Sequence, residues 1–170
     1  MEKRNVTVSA IVAAIVLIGD QFSKHWAETW LRTNGEYKIW DGVLHLRYVE
    51  NRGAAFGMMQ GGKWFFLAIT GIACAAMLYF LIKERKRLHF MMTFSIALLL
   101  SGAIGNLIDR VALGYVRDMI YVALIDFAVF NVADMAVTVG CCLLVLDLLF
   151  FKGKKYMEMM DKKPQTGENS

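Results

Sequence analysis

The sequence predicts an all-α integral membrane protein with four transmembrane helices, a small extracytoplasmic β-sheet and a flap. Three observations lead to this fold class. The 170-residue chain is 57% hydrophobic with a single proline, which is too apolar for an ordinary soluble domain. Four apolar runs approach the roughly 20 residues that a membrane-spanning helix needs, and basic residues gather at one end of these runs. The length suits one domain, so we assign residues 1–152 to a membrane domain and 153–170 to a cytoplasmic tail.

The four apolar runs are the predicted membrane helices, at about residues 6–26, 64–82, 88–108 and 131–151. The first run follows a short basic N-terminus, as the apolar part of a secretory signal peptide does, but no small-residue cleavage site follows it. We therefore interpret it as an uncleaved helix. Asp147, near the end of the fourth run, is interpreted as an interfacial carboxylate near the cation of Lys152.

The distribution of lysine and arginine residues predicts the orientation of the helices in the membrane. Segments 1–5, 83–89 and 152–170 hold 11 of them in 31 positions, whereas residues 23–63 and 109–130 hold 8 in 63. Because the denser side is normally cytoplasmic, both termini are expected inside the cell. All four tryptophans then lie on the outer side, as in an aromatic belt.

The two outer loops, 27–63 and 109–130, are expected to carry structure of their own. Residues 43–49 alternate apolar and polar side chains as a strand does, with His45 and Arg47 on the polar face. The preceding pair Ile39-Trp40 could form a hairpin with this strand across Asp41-Gly42.

Two further segments of these loops are apolar. A strand is predicted around Val116 to Met119, followed by a short helix or flap. Residues 54–59 are too few to span a bilayer, so we expect them to dip into the interface or to cover a cavity.

Five polar groupings, far apart in the sequence, are predicted to meet near the outer ends of the helices. With both termini inside, the first and third helices run outward and the fourth runs inward. Residues three or four positions apart share a helix face. Ionisable groups at this depth are costly and suggest a functional site. The groupings are Asp20-Gln21 with Lys24, Asn51-Arg52-Gly53, Asn106 with Asp109 and Arg110, Asp118, and Asn131 with Asp134.

Some of these residues also have simpler structural interpretations. Asp20 and Lys24 fit an ion pair as well as a functional role, and Asp109 with Arg110 is interpreted first as an ion pair that closes the helix end. Gly102 and Gly105 are small residues that permit close helix contact. The three cysteines lie in apolar runs and are interpreted as small buried hydrophobes.

The chemistry is narrowed by the excess of carboxylates. No serine or cysteine is accompanied by histidine in a catalytic motif, and no zinc motif is present, so we expect no metal and no cofactor. No nucleic-acid-binding motif is present either. Two adjacent carboxylates cannot both ionise easily, so one keeps a proton and the pair can serve as base and acid.

The indicated reaction is aspartic peptide hydrolysis, although spacing alone does not choose the pair. The candidates are Asp20, Asp109, Asp118, Asp126 and Asp134, and the start of a helix favours Asp134. The alternatives are a small transporter or channel and a non-catalytic scaffold. Transport would favour charges near the bilayer midplane, where every predicted helix is apolar.

Five motifs in the same order resemble those of the lipoprotein signal peptidase (signal peptidase II) family. The resemblance covers almost the whole chain, from Asp20 to Asp134. The stretches are Asp20-Gln21-Phe22-Ser23-Lys24, Asn51-Arg52-Gly53-Ala54-Ala55-Phe56, Gly102 to Arg110, Val116-Arg117-Asp118-Met119 and Phe130 to Asp134.

The resemblance implies a bacterial inner-membrane aspartic endopeptidase whose catalytic dyad is Asp118 and Asp134. Its substrates and partners would be prolipoproteins, cut before their diacylglyceryl-modified cysteine, together with membrane lipid, at an active site near the outer face. Asp109 would be structural. The residues implied to bind substrate or to support the site are Asp20, Lys24, Asn51, Gly53, Asn106, Arg110 and Asn131.

The sequence departs from the family pattern in one place, and one cation beside the dyad has no assigned role. Asp126-Phe127 is a second Asp-Phe pair that could compete with Asp118, and we reject it because it lies only eight positions before Asp134. Arg117 is interpreted in two ways: it lowers the pKa of Asp118, or it faces water.

Overall fold

Long helices with a three-stranded sheet at one end make up the described part of the chain. The computed structural model describes residues 2–53, 63–85 and 87–151. Its helical elements are α1 (Glu2–Trp26), a π-helical segment (Ala27–Leu31), α2 (Arg32–Asn34), α3 (Lys63–Glu84), α4 (Phe90–Ala112), a 3-10 turn (Ala123–Ile125) and α5 (Val132–Phe150). Its strands are β1 (Tyr37–Trp40), β2 (Leu44–Asn51) and β3 (Val116–Val122).

Four helical stretches of the described residues are long and apolar enough to cross a membrane. They are Asn5–Asn34, Trp64–Glu84, Phe90–Ala112 and Val132–Phe150. The predicted fold class, four membrane helices with a small sheet, is therefore confirmed. The segment 153–170, predicted to be a cytoplasmic tail, and the apolar segment 54–59 lie outside the described residues.

The first and third helices extend beyond their predicted ends at 26 and 108. The first continues to Asn34, because the first helix-breaking residue is Gly35, which has a φ of 84° and donates its N–H to the carbonyl of Leu31 at 2.9 Å. The third continues to Ala112. The outer loops therefore do not begin at 27 and 109 as predicted, and Asp109 lies inside a helix.

The sheet is antiparallel in the order β1-β2-β3. The predicted hairpin is confirmed, with Trp40 paired to Leu44. The third strand extends past its predicted end at residue 119 to Val122, and Val49 of β2 lies opposite Asp118. This pairing brings the two outer loops together at the site of interest.

The two faces of β2 differ from the simple alternation that the sequence predicts. His45, expected on the polar face, is buried with 7% exposure. Its Nδ1 hydrogen bonds to Glu36, and its Nε2 accepts the N–H of Gly42 at 3.0 Å. These two partners satisfy the ring nitrogens and allow the imidazole to be covered.

The sheet is attached to the first helical stretch by a small apolar cluster. Ala27 and Leu31 of the π-helical segment and Met119 of β3 are buried against one another. This contact fixes β3, and thus Asp118, relative to the helices.

Helix α4 is central and packs against α1, α3 and α5. A Cβ atom on Gly102 would lie 2.3 Å from the carbonyl oxygen of Ala133, and one on Gly105 would lie 2.6 Å from Asp20 Oδ2. Both distances are far below van der Waals contact, so only glycine allows α1 and α5 to approach α4 this closely. The predicted role of the two glycines is confirmed.

Three residues of the apolar runs, Asp147, Cys141 and Cys142, have surroundings that the sequence did not predict. Asp147 is completely buried and shares a hydrogen bond with His89 Nε2 at 2.7 Å; Lys152, its expected partner, lies outside the described residues. Cys74 is buried, but Cys141 and Cys142 are exposed on α5. A membrane helix can present apolar side chains outward to lipid, so hydropathy did not reveal their exposure.

Candidate active site

Asn131 joins the two carboxylates that the sequence analysis singled out. Its side-chain amide Nδ2 donates to Asp118 Oδ1 at 2.6 Å, and its backbone N–H donates to Asp134 Oδ2 at 3.1 Å. Asp118 lies on β3 and Asp134 in the first turn of α5. Both carboxyl groups therefore lie within hydrogen-bonding distance of one residue.

The start of α5 fixes the direction of Asp134. Asn131 is the N-cap residue, and its Oδ1 accepts the backbone N–H of Asp134 at 3.0 Å while Asp134 accepts the N–H of Asn131, which completes a capping box. A carboxylate in the first turn of a helix also interacts favourably with the helix dipole. The sequence preference for Asp134 thus has a structural basis.

Asn106 on α4 supplies a further hydrogen bond to Asp134, and Lys24 determines the orientation of the Asn106 side-chain amide. Lys24 Nζ, which can only donate, lies 2.9 Å from Asn106 Oδ1. The amide nitrogen of Asn106 must then face the other way, where it donates to Asp134 Oδ1 at 2.7 Å. Asn131 Nδ2 also donates to Asn106 Oδ1, at 3.1 Å.

Asp118 is almost completely buried, with 1% exposure. Besides the bond from Asn131, it accepts a hydrogen bond from Asn51 Nδ2 at 3.0 Å. Burial, followed by the negative charge of Asp134, raises the pKa of Asp118 to about 7, against the opposing effect of the two asparagine hydrogen bonds. Asp118 therefore holds a proton far more readily than an exposed aspartate does.

Asn51, Gly53 and Arg110 form the rim of this site. Asn51 Oδ1 accepts the backbone N–H of Gly53 at 3.0 Å, and Arg110 Nη2 lies 3.5 Å from the carbonyl of Gly53. The Arg110 guanidinium also lies over the ring of Phe66 at 5.0 Å. Arg110 thus reaches towards the segment after β2 and does not pair with Asp109.

A buried ionic network lies beneath the two carboxylates. Lys24 Nζ is 2.8 Å from Asp20 Oδ2 and 3.8 Å from Asp109 Oδ2, which confirms the predicted Asp20–Lys24 pair. Asp20 Oδ1 accepts the backbone N–H of Ala133, next to Asp134, at 2.9 Å. The network therefore ties α1 to the start of α5.

The partner of Asp109 is Arg117, so the predicted Asp109–Arg110 pair is wrong. Arg117 Nη2 and Nε bind the two oxygens of Asp109 at 2.7 and 3.1 Å. Adjacent residues on a helix point in different directions, so Asp109 and Arg110 cannot easily face each other. Arg117 is 8% exposed, so it does not face water, and its guanidinium is engaged away from the carboxylate of Asp118.

Two further side chains belong to this network, and sequence reasoning missed one of them. Arg117 Nη2 donates to Gln21 Oε1 at 3.2 Å, and Arg117 Nη1 donates to Glu28 Oε2 at 2.9 Å. The sequence analysis grouped Gln21 with Asp20 but gave it no role of its own. Glu28 had no local signal, because its partner lies 89 positions away.

A cavity of about 460 Å³ lies beside Asp118. Strand β2 forms one wall and residues 126–129 form another. Asp126, the rival carboxylate, lines this cavity but accepts a hydrogen bond from Tyr121 Oη at 2.6 Å. Within the described residues, no group of three potential metal-ligating side chains is present.

Comparison with known proteins gives consistent similarities. The family model described as signal peptidase (SPase) II matches residues 12–150. A lipoprotein signal peptidase of Streptococcus thermophilus is 46% identical over 142 residues, covering 83% of this chain and 92% of that protein. One from Clostridioides difficile is 43% identical over 145 residues, covering 85% and 97%. A solved structure of a bacterial membrane enzyme has a TM-score of 0.77 at 33% identity, covering 95% of each chain.

Proposed function

The chain belongs to the signal peptidase II family, and from this premise we propose that it is a membrane aspartic endopeptidase acting on prolipoproteins. It removes the signal peptide by cutting before the diacylglyceryl-modified cysteine. The observation that carries the proposal is the position of Asn131, which hydrogen bonds to Asp118 and Asp134 at once. Two carboxyls near one polar neighbour suit the shared activation of water.

The two aspartates have different environments, which supports different roles. Asp134 accepts hydrogen bonds from Asn106 Nδ2 and from the N–H of Asn131, and it lies at a helix N-terminus. Asp118, whose pKa is raised to about 7 by burial and by Asp134, carries the proton. We therefore propose Asp134 as the base and Asp118 as the acid.

The reaction then proceeds without a covalent enzyme intermediate. Asp134 takes a proton from water, whose oxygen adds to the carbonyl carbon before the cysteine, while Asp118 gives its proton to the carbonyl oxygen. When the carbon–nitrogen bond breaks, the proton on Asp134 passes to the leaving amine. Asp118 recovers a proton from the hydroxyl group as the carboxyl product forms. Atoms and charges balance, and both aspartates return to their starting states.

The remaining site residues support this geometry. Lys24 orients Asn106, and Asp20 binds the backbone next to Asp134. Asn51, Gly53 and Arg110, on the rim, bind or align the substrate peptide. Asp109 is structural, because it holds the guanidinium of Arg117.

The location follows from the charge distribution. The positive-inside bias of the sequence supports an orientation with both termini in the cytoplasm and the dyad near the outer face of the bacterial inner membrane. At that depth the cysteine can stay attached to its lipid while the peptide bond reaches Asp118 and Asp134. Substrate and membrane lipid are thus the proposed partners.

Cleavage of a lipid-modified precursor by the purified protein in detergent, with a chelator present, tests the proposal. Asp118→Asn and Asp134→Asn should each abolish cleavage without reducing membrane insertion. Asp41→Asn is the matched control, because Asp41 pairs with Lys38 on the exposed hairpin. Normal processing by either dyad variant would show that the pair is misassigned, and transport without cleavage would favour the transporter alternative.

A further inference from the structure

The cavity beside Asp118 continues as a groove along one face of β2. Arg47, Val49, Glu50 and Asn51 of this strand all line it, and the pairing of β2 with β3 shifts register between Leu46 and Val49. At about 3.3 Å per residue, Arg47 lies roughly 13 Å along the strand from Asn51. An extended peptide of about four residues covers this distance, so Arg47 can meet a substrate side chain well away from the scissile bond.

Arg47 lines this groove and forms no ion pair with any of the described residues. Its guanidinium lies over the Tyr121 ring at 4.0 Å, and its Nε is buried without a hydrogen-bond partner among the residues that the structure describes. The other cavity arginine, Arg52, is paired with Glu50 at 3.1 Å. A guanidinium without an ionic partner can bind a carboxylate through two parallel hydrogen bonds.

The surroundings hold the Arg47 side chain in place. Tyr121 stacks on the guanidinium and is itself held by its hydroxyl bond to Asp126. A guanidinium stacked in this way loses little conformational entropy when it binds a planar carboxylate. The groove is therefore arranged to receive an anionic group.

We propose that Arg47 selects precursors that carry an acidic side chain three to five residues after the lipid-modified cysteine. This inference rests on the proposed function and adds a substrate preference to it. The peptide before the cut is the apolar signal sequence, which suits the bilayer. The peptide after the cut enters water, and it is this part that suits a groove lined by charged side chains such as Arg47, Arg52, Glu50 and Asp126.

The test compares lipid-modified precursors that differ at a single position. Aspartate, asparagine or lysine is placed in turn at the third, fourth and fifth residues after the cysteine, and kcat/KM is measured. The wild-type enzyme should prefer aspartate over asparagine by about 5- to 10-fold at one of these positions, mainly through KM, as expected for a partly exposed charge-assisted pair. Arg47→Gln should bring the ratio close to one, and Arg47→Glu should reverse it.

The ratio of kcat/KM between two substrates, measured with one variant, does not depend on how much of that variant is folded. Lys38→Glu is the control, because it makes the same change of charge on the exposed strand β1, outside the groove, and should keep the wild-type preference. Equal cleavage of the three substrates by the wild type, or an unchanged preference in Arg47→Glu, overturns the inference. An equal loss on all three substrates also overturns it, since Arg47 would then bind the peptide backbone.

The two proposals fail in different ways. If the wild type does not cleave the asparagine substrates, or if Asp118→Asn cleaves them, the proposed function is wrong. If these substrates are cleaved by the dyad without preference for aspartate, only the role of Arg47 is wrong.

Discussion

Replacement of Asn131 by serine separates the structural and catalytic contributions of one side chain. Asn131 Oδ1 caps α5 by accepting the N–H of Asp134 at 3.0 Å, while its Nδ2 donates to Asp118 at 2.6 Å. Serine and asparagine are comparable N-cap residues. Serine, however, is shorter and has no amide nitrogen that can reach Asp118, so Asn131→Ser keeps the cap and removes the donor.

The expected magnitude follows from the hydrogen bonds involved. A hydrogen bond to a charged group contributes about 1.5–3 kcal/mol, which corresponds to about a 10- to 150-fold loss of kcat/KM if it is needed in the transition state. The free energy of unfolding should stay within about 0.5 kcal/mol of the wild type as far as the cap is concerned. Asn131→Ala should lose similar activity and about 1 kcal/mol of additional stability, because alanine cannot cap.

The assay combines cleavage of a lipid-modified precursor with thermal unfolding in the same detergent. A third variant, Asn131→Asp, keeps a cap oxygen but places a third carboxylate beside Asp118, and it should be the least active of the three. Wild-type activity in Asn131→Ser would refute the reasoning, because the side-chain amide that donates to Asp118 would then be unnecessary.

Two further predictions concern the acid and the buried network. If Asp118 is the acid, as proposed, and its pKa is raised to about 7, kcat/KM should be high below this pH and fall as pH rises through about 7. Asn51→Ala, which removes a hydrogen bond that lowers this pKa, should move the descending limb to higher pH; a limb that stays fixed or moves down would contradict the assignment of the proton. Arg117→Ala leaves Asp109 buried without its bidentate partner and should reduce the free energy of unfolding by about 3–5 kcal/mol, measured by thermal unfolding. Arg117→Ala combined with Asp109→Asn should recover part of this loss, and an Arg117→Ala protein as stable as the wild type would show that the pair is unimportant.

The sequence predicted the helices well because hydropathy is a local property. Each apolar run became a membrane-length helix, and the two helix ends that were misplaced lie where the next glycine, Gly35 or Gly114, follows several helix-compatible residues. The hairpin around Asp41-Gly42 was also predicted correctly from its turn residues. The exposure of Cys141 was not predicted, because the lipid-facing side and the buried side of a membrane helix are both apolar.

The candidate site was predicted less completely than the fold. Motif residues were recognised one by one, and the structure gathers them around Asn131 and Asn106. The sequence analysis paired Asp109 with its neighbour Arg110. In the structure the partner of Asp109 is Arg117, eight positions further on. Glu28 could not have been found at all, since nothing in its own surroundings in the sequence points to Arg117.

By itself, the sequence determined how many helices form, where the chain turns, and that several carboxylates reach the same end of the helices. Only the tertiary structure decided which groups are in contact. Lys24 orients the side-chain amide of Asn106, Val49 lies opposite Asp118, and Arg47 stacks on Tyr121 without an ion pair to any carboxylate among the described residues. The physical reason is that helix formation depends on residues a few positions apart. The raised pKa of Asp118, in contrast, depends on burial and on a charge contributed by a different element of the fold.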